Sequence, residues 1–95
     1  MSEDLKSEWR YLYSEELPKF AKENNWPVHL DHCIARIIYD HVAQNKWDRV
    51  WQKPAIHNLL DAQLFQCIDV AKKLKQNDLS AHQLNQKSLR YRGKL

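Results

Sequence analysis

HLDHCIARIIYDH, residues 29–41, carries three histidines, one cysteine and two aspartates within thirteen positions. Whether this stretch is a chemical box or a core helix decides the fold. Leu30, Cys33, Ile34, Ile37, Ile38 and His41 recur at the i, i+3, i+4 spacing of a single helical face. The spacing predicts an amphipathic helix that buries Leu30, Ile34, Ile37 and Ile38. The opposite face, His32, Arg36, Tyr39 and Asp40, reads as a polar stripe. His32 and Asp40 each stand one turn from Arg36, as ordinary surface pairs do.

Helix geometry argues against a metal box. His32 and His41 are nine residues apart, so they point in opposite directions and sit about 13 Å apart along the axis. Only His29 with His32 or Cys33 has the one-turn spacing of a helical metal pair. His57, Cys67 and His82 occur singly elsewhere, whereas a structural zinc needs two close pairs. No metal and no cofactor is therefore expected. Cys33 and Cys67 both fall on apolar faces, where burial raises a thiol's pKa and blunts its nucleophilicity. Reactive chemistry of Cys33 or Cys67 with a histidine stays open, for instance if tertiary contacts bring His57 near Cys67. No Gly-rich loop or oxyanion signature accompanies either thiol, so the chain reads as non-enzymatic.

Working outward, the remaining segments also read as helices. Leu5, Trp9 and Leu12 open a first helix, which Ser2 can cap and which Glu3 and Asp4 favour through the helix dipole. Pro18 should break or kink it, leaving a short turn from Pro18 to Asn24 with Phe20 inward. Pro27 is suited to open the next helix. KWDRVWQ, residues 46–52, suggests a short helix with Trp47 and Trp51 one turn apart. Lys53-Pro54 ends it. A long helix over residues 61–76 follows, striped by Leu64, Cys67, Ile68, Ala71 and Leu74. Ser80 and Gln83 form a capping box for a last helix, and Gly93 stands where a C-terminal cap belongs. No segment alternates with period two. The expectation is an all-α fold, a compact bundle of four or five short helices in a single domain over residues 1–95.

Size and composition agree. A chain of 95 residues has room for one core. Four Trp, four Tyr and two Phe supply that core and argue against disorder. The single Gly argues against a turn-rich β sandwich or barrel. No apolar run reaches the roughly 18 residues of a membrane span, and MSEDLKSEWR does not resemble a secretory signal. The expected setting is a reducing cytoplasm, with free thiols.

Charge is uneven. Residues 1–50 hold 7 Lys/Arg against 9 Asp/Glu, whereas residues 51–95 hold 8 against 3. Lys72, Lys73, Lys75, Lys87, Arg90, Arg92 and Lys94 are opposed after residue 71 by Asp78 alone. Such a surface suits an anionic partner, either nucleic acid or an acidic protein surface. Tyr91 between Arg90 and Arg92 could stack on an exposed base. The plain alternative is a solvated face that keeps the chain soluble.

PVHLDHCIARI, with Pro27, Val28, Leu30, Asp31, His32, Cys33, Arg36 and Ile37, resembles a motif in a group of small uncharacterised bacterial proteins. The ending SLRYRGK, through Ser88, Leu89, Arg90, Arg92, Gly93 and Lys94, is similar to theirs, as is PAIHNLLDAQL. The resemblance spans roughly residues 26–94 and leaves the first 25, the kinked N-terminal helix, outside. It implies no activity. It implies that Asp31, His32, Arg36 and the Arg/Gly ending form one polar network, with Asp31 pairing Arg90 or Arg92. The function expected is a small helical binding module that contacts nucleic acid through its basic C-terminal half. The alternative is a protein-interaction or regulatory domain that presents a helix face.

Overall fold

Apolar residues at helical spacing fold into helices along nearly the whole chain. The computed structural model describes residues 2–95, with only the backbone of Ser2, so the cap expected from the Ser2 side chain lies outside the described residues. Helix α1 (Ser2–Tyr11) passes through a π-helical turn (Leu12–Glu16) into α2 (Leu17–Glu23). Of the break or kink expected at Pro18, the break does not occur: Tyr11 and Leu17 both keep right-handed helical dihedrals, and the irregularity is a π turn just before the proline. Proline's ring clashes with the carbonyl four residues back, here Ser14. Ser14 lies in the π turn, where Leu17 N–H reaches back five residues to the Leu12 carbonyl. The wider turn gives the ring room, and the rod continues.

Helix α3 (Asp31–Ala43) follows a loop, and a 3₁₀ turn (Trp47–Arg49) replaces the helix expected in residues 46–52. A single turn, α4 (Ala55–Asn58), follows the cis Lys53–Pro54 bond. Helices α5 (Asp61–Lys75) and α6 (Ala81–Tyr91) complete the chain. No strand forms among the described residues, and the fold is all-α. The radius of gyration, 12.3 Å, is the roughly 12 Å expected of a compact chain this long.

Left-handed residues set the helix ends. Asn25 follows α2 with φ 56°, Trp26 N–H bonds the Ala21 carbonyl at 3.0 Å, and the Trp26 ring meets Phe20 edge-on. Those bonds and that apolar contact make a Schellman stop. Gln44 and Asn77 take the same backbone conformation after α3 and α5. After α6, Gly93 has φ +69°, with Gly93 N–H on the Arg90 carbonyl and Lys94 N–H on the Leu89 carbonyl. The C-terminal cap expected at Gly93 is present. At the other end of α6, Ser80 Oγ accepts the Gln83 N–H at 3.2 Å.

Helix α3 lies at the centre. Ile34, Ile37 and Ile38 are fully buried, as their spacing requires. Leu30 is not: α3 starts at Asp31, four residues after Pro27, which leaves Leu30 as the 51% exposed N-cap. Ile37→Ala should cost about 2–5 kcal/mol in denaturant melts, and a loss below half a kcal/mol would remove Ile37 from the core. Tyr39 and Asp40, expected on a surface stripe, are buried too, because α6 and the N-terminal rod cover that side.

Candidate functional site

Arg36 bonds Asn85 in the first half of α6, whereas Asp40 (with Ser88 and Arg92) and Gln44 (with Lys87 and Tyr91), farther along α3, bond residues toward its end. The two helices therefore run parallel, and their carboxyl ends come together. Asp40 is the hub, with no exposed surface. Its Oδ2 accepts from Ser88 Oγ at 2.5 Å and Arg92 Nε at 2.8 Å. Its Oδ1 accepts from Arg92 Nη2 at 3.1 Å and from the Trp47 amide at 2.9 Å. A guanidinium fork on a buried carboxylate is geometrically specific, so it fixes the register of the tail.

The network expected from Asp31, His32 and Arg36 to the Arg/Gly ending does not form; another acid of α3, Asp40, holds Arg92 instead. Asp31 is exposed and accepts from the His32 amide at 2.6 Å, with the His32 ring 3.4 Å away. It does not reach Arg90 or Arg92, because parallel packing sets the start of α3 beside the start of α6. Of Asp31, His32 and Arg36, only Arg36 meets α6, where its Nη2 donates to Asn85 Oδ1 at 2.6 Å. Asp40 and Asn85 were missed by sequence reasoning. A signal existed: Asn85, Ser88 and Arg92 repeat at i, i+3, i+7 along α6, opposite Arg36 and Asp40 at i, i+4 on α3.

The basic residues divide into two groups. Lys72 lies 3.7 Å from Glu8 and Lys75 pairs with Glu16, so both close the seam between α5 and the N-terminal rod. Lys73 pairs with Asp69 at 3.1 Å, and Arg92 is held by Asp40. Lys87, Arg90 and Lys94 have no carboxylate within ion-pair reach among the described residues. Lys87 donates to Gln44 Oε1 at 3.1 Å and stands 6.0 Å above the Tyr91 ring. Tyr91 is half-buried, and its hydroxyl donates to the same Gln44 oxygen at 3.4 Å. His41, near the end of α3, has its pKa lowered by burial and then by Lys87 and Lys73.

Burial pushes the Cys67 thiol up to about 12, so it stays protonated at neutral pH. Cys33 is half-buried. Among the described residues no three His, Cys, Asp or Glu side chains gather as a metal ion would need, and no helix is long and apolar enough to cross a membrane. Compared with known proteins, the chain matches no family model, no curated protein and no solved structure.

Proposed function

We propose that the protein is a small non-enzymatic cytoplasmic binding module whose α6 end contacts the phosphate backbone of nucleic acid. The observation that carries this reading is that, among the described residues, no carboxylate pairs with Lys87, Arg90 or Lys94. Of the seven basic residues after residue 71, four are engaged by carboxylates; Arg90 and Lys94 are exposed, and Lys87 holds only the neutral Gln44 oxygen. Lys73 is paired with Asp69 and contributes less. Lys72, Lys75 and Arg92 have structural partners and contribute less. The carboxyl ends of α3 and α6 bring partial negative charge to this region, and that charge accounts for part of the local need for cations. It does not account for three side chains at the chain end that no carboxylate pairs among the described residues.

The expected binding is weak, micromolar at about 50 mM salt, and nearly independent of sequence. With three or four phosphates contacted on duplex DNA, the logarithm of affinity should fall with the logarithm of salt at a slope of about −3. Lys87→Gln with Arg90→Gln should flatten that slope by about two and leave the helical spectrum unchanged. Tyr91 can offer a base only the ring face that Lys87 does not cover. Tyr91→Ala should then weaken single-strand binding more than duplex binding, by about 1–3 kcal/mol. No measurable binding to mixed single- and double-stranded oligonucleotides at about 50 mM salt would overturn the reading. The protein-interaction alternative would then be favoured, with Phe65, 64% exposed on α5, as its first residue to test.

A further inference from the structure

We infer that residues 46–53, the loop around the 3₁₀ turn, hold one base of a single-stranded nucleic acid against Trp51, with its flanking phosphates on Arg49 and Lys53. This deepens the nucleic-acid reading above and rests on it. KWDRVWQK sets three cations and two tryptophans around one acid within eight positions. The Trp51 N–H bonds the Trp47 carbonyl at 2.8 Å and the Arg49 N–H bonds the Lys46 carbonyl at 3.0 Å, so the chain turns tightly there. Outside the turn lies an open hollow of about 560 Å³, lined by residues 48–53. That volume falls within the roughly 300–1,000 Å³ of small-ligand sites.

The charge around this hollow is within reach of solvent. Arg49 is exposed, and no carboxylate pairs with it among the described residues. The Lys53 side chain is 70% exposed. Asp48, the acid on the wall, stands 3.7 Å from Lys46 and 3.4 Å from Lys53, so its charge is already answered. Three cations against one carboxylate leave the rim net positive, as phosphate contacts need. The rim also continues the basic end of α6. The Trp47 amide and the Arg92 guanidinium donate to the same Asp40 oxygen, Oδ1, at 2.9 and 3.1 Å. Loop and tail are thus tied to one atom, and phosphates that follow one another along a strand can meet both.

The walls favour a single strand over a duplex. Trp51 is half-buried: its ring meets Tyr39 edge-on, with centroids 5.8 Å apart, and it also lines the hollow. Tyr39 therefore steadies the indole from the core side. Val50, 52% exposed, adds apolar surface on the same wall. Every base has a π-face that can stack on such a ring, whatever its identity, and the neighbouring cations track the backbone. The bases of a duplex are stacked on one another, so a duplex offers this loop its phosphates alone. A purely structural role explains the contact of Trp51 with Tyr39. It does not explain an exposed valine beside an arginine that no carboxylate pairs.

The test titrates the full chain, at about 50 mM salt, with an oligothymidylate, an abasic strand of equal length and a duplex of equal length. Fluorescence anisotropy and NMR shifts are the readouts. The oligothymidylate should bind about tenfold more tightly than either of the others, the gain expected of a base stacked on an aromatic ring. It should shift the Trp51 indole N–H and the Arg49 Nε–H, and the indole shift should vanish with the abasic strand. Arg49→Gln should weaken binding of the oligothymidylate about fivefold and flatten its salt slope by about 0.7, one phosphate contact on a single strand. Trp51→Leu should bring the oligothymidylate down to the abasic strand. If Trp51→Leu fails to fold, the indole signal and Arg49→Gln still decide. Binding that shifts only Lys87, Arg90 and Tyr91 and is unchanged in Arg49→Gln would overturn this site while the α6 contact stands. Equal affinity for oligothymidylate and abasic strand would overturn it too. No binding of any of the three would overturn both.

Discussion

Asp40→Ala should destabilise the protein by about 3–5 kcal/mol, because removing one partner of a buried charge pair strands the other. Asp40 has no exposed surface, and its two oxygens take four hydrogen bonds, from Trp47, Ser88 and twice from Arg92. The change leaves the Trp47 amide, the Ser88 hydroxyl and a partly buried guanidinium without an acceptor, and it opens a small cavity. Asp40→Asn should cost less but remain severe, since one acceptor oxygen becomes a donor facing donors. Arg92→Gln should be milder, because the Arg92 side chain retains 19% exposure. The pair Asp40→Asn and Arg92→Gln should together cost less than the sum of the two, with a coupling of about 1–3 kcal/mol. Urea melts followed by circular dichroism measure each term. Strict additivity would show that the tail is not held by this pair.

The same residue shows where sequence reading stops. A helical wheel tells which side chains share a face, and it found Ile34, Ile37 and Ile38 on α3 and Leu64, Cys67, Ile68, Ala71 and Leu74 on α5, all of them buried. It does not tell what covers a second face. Asp40 looked solvated because Arg36 is one turn away. The element that buries it, α6, lies about fifty residues downstream and carries only small or single polar groups, Asn85, Ser88 and Arg92. The α3 residues that the resemblance joined to the ending do not reach it; Asp40 does. The choice of Asp31 failed because only the parallel register of α3 and α6 selects Asp40. Pro18 marked an irregularity in the helix, but a widened turn has no composition signal to distinguish it from a break. The basic count after residue 71 was legible. Its division into paired and unpaired cations was not, because Glu8 and Glu16 come from the far end of the chain.

Trp9→Ala should cost about 3–5 kcal/mol and test whether the first 25 residues belong to the core. Trp9 is fully buried, and its Nε1–H donates to the Tyr39 hydroxyl at 2.8 Å. Tyr39 in turn packs against Trp9, Trp47 and Trp51 with ring centroids 5.6, 5.4 and 5.8 Å apart. Burial holds the Tyr39 phenol well above its ordinary pKa, so it stays neutral and available to accept. One indole therefore ties the N-terminal rod to α3 and, through Tyr39, to the loop carrying the other two tryptophans. Leu12, Leu17 and Ala21 bury the rest of the rod's inner face. Trp9→Phe separates the two contributions: the ring largely remains, the donor is lost, and the cost should drop to about 1–3 kcal/mol. Near-ultraviolet circular dichroism should lose most of its intensity in Trp9→Ala and keep most of it in Trp9→Phe. A Trp9→Ala protein within half a kcal/mol of the parent would mean that the rod merely rests on a core completed by residues 26–94.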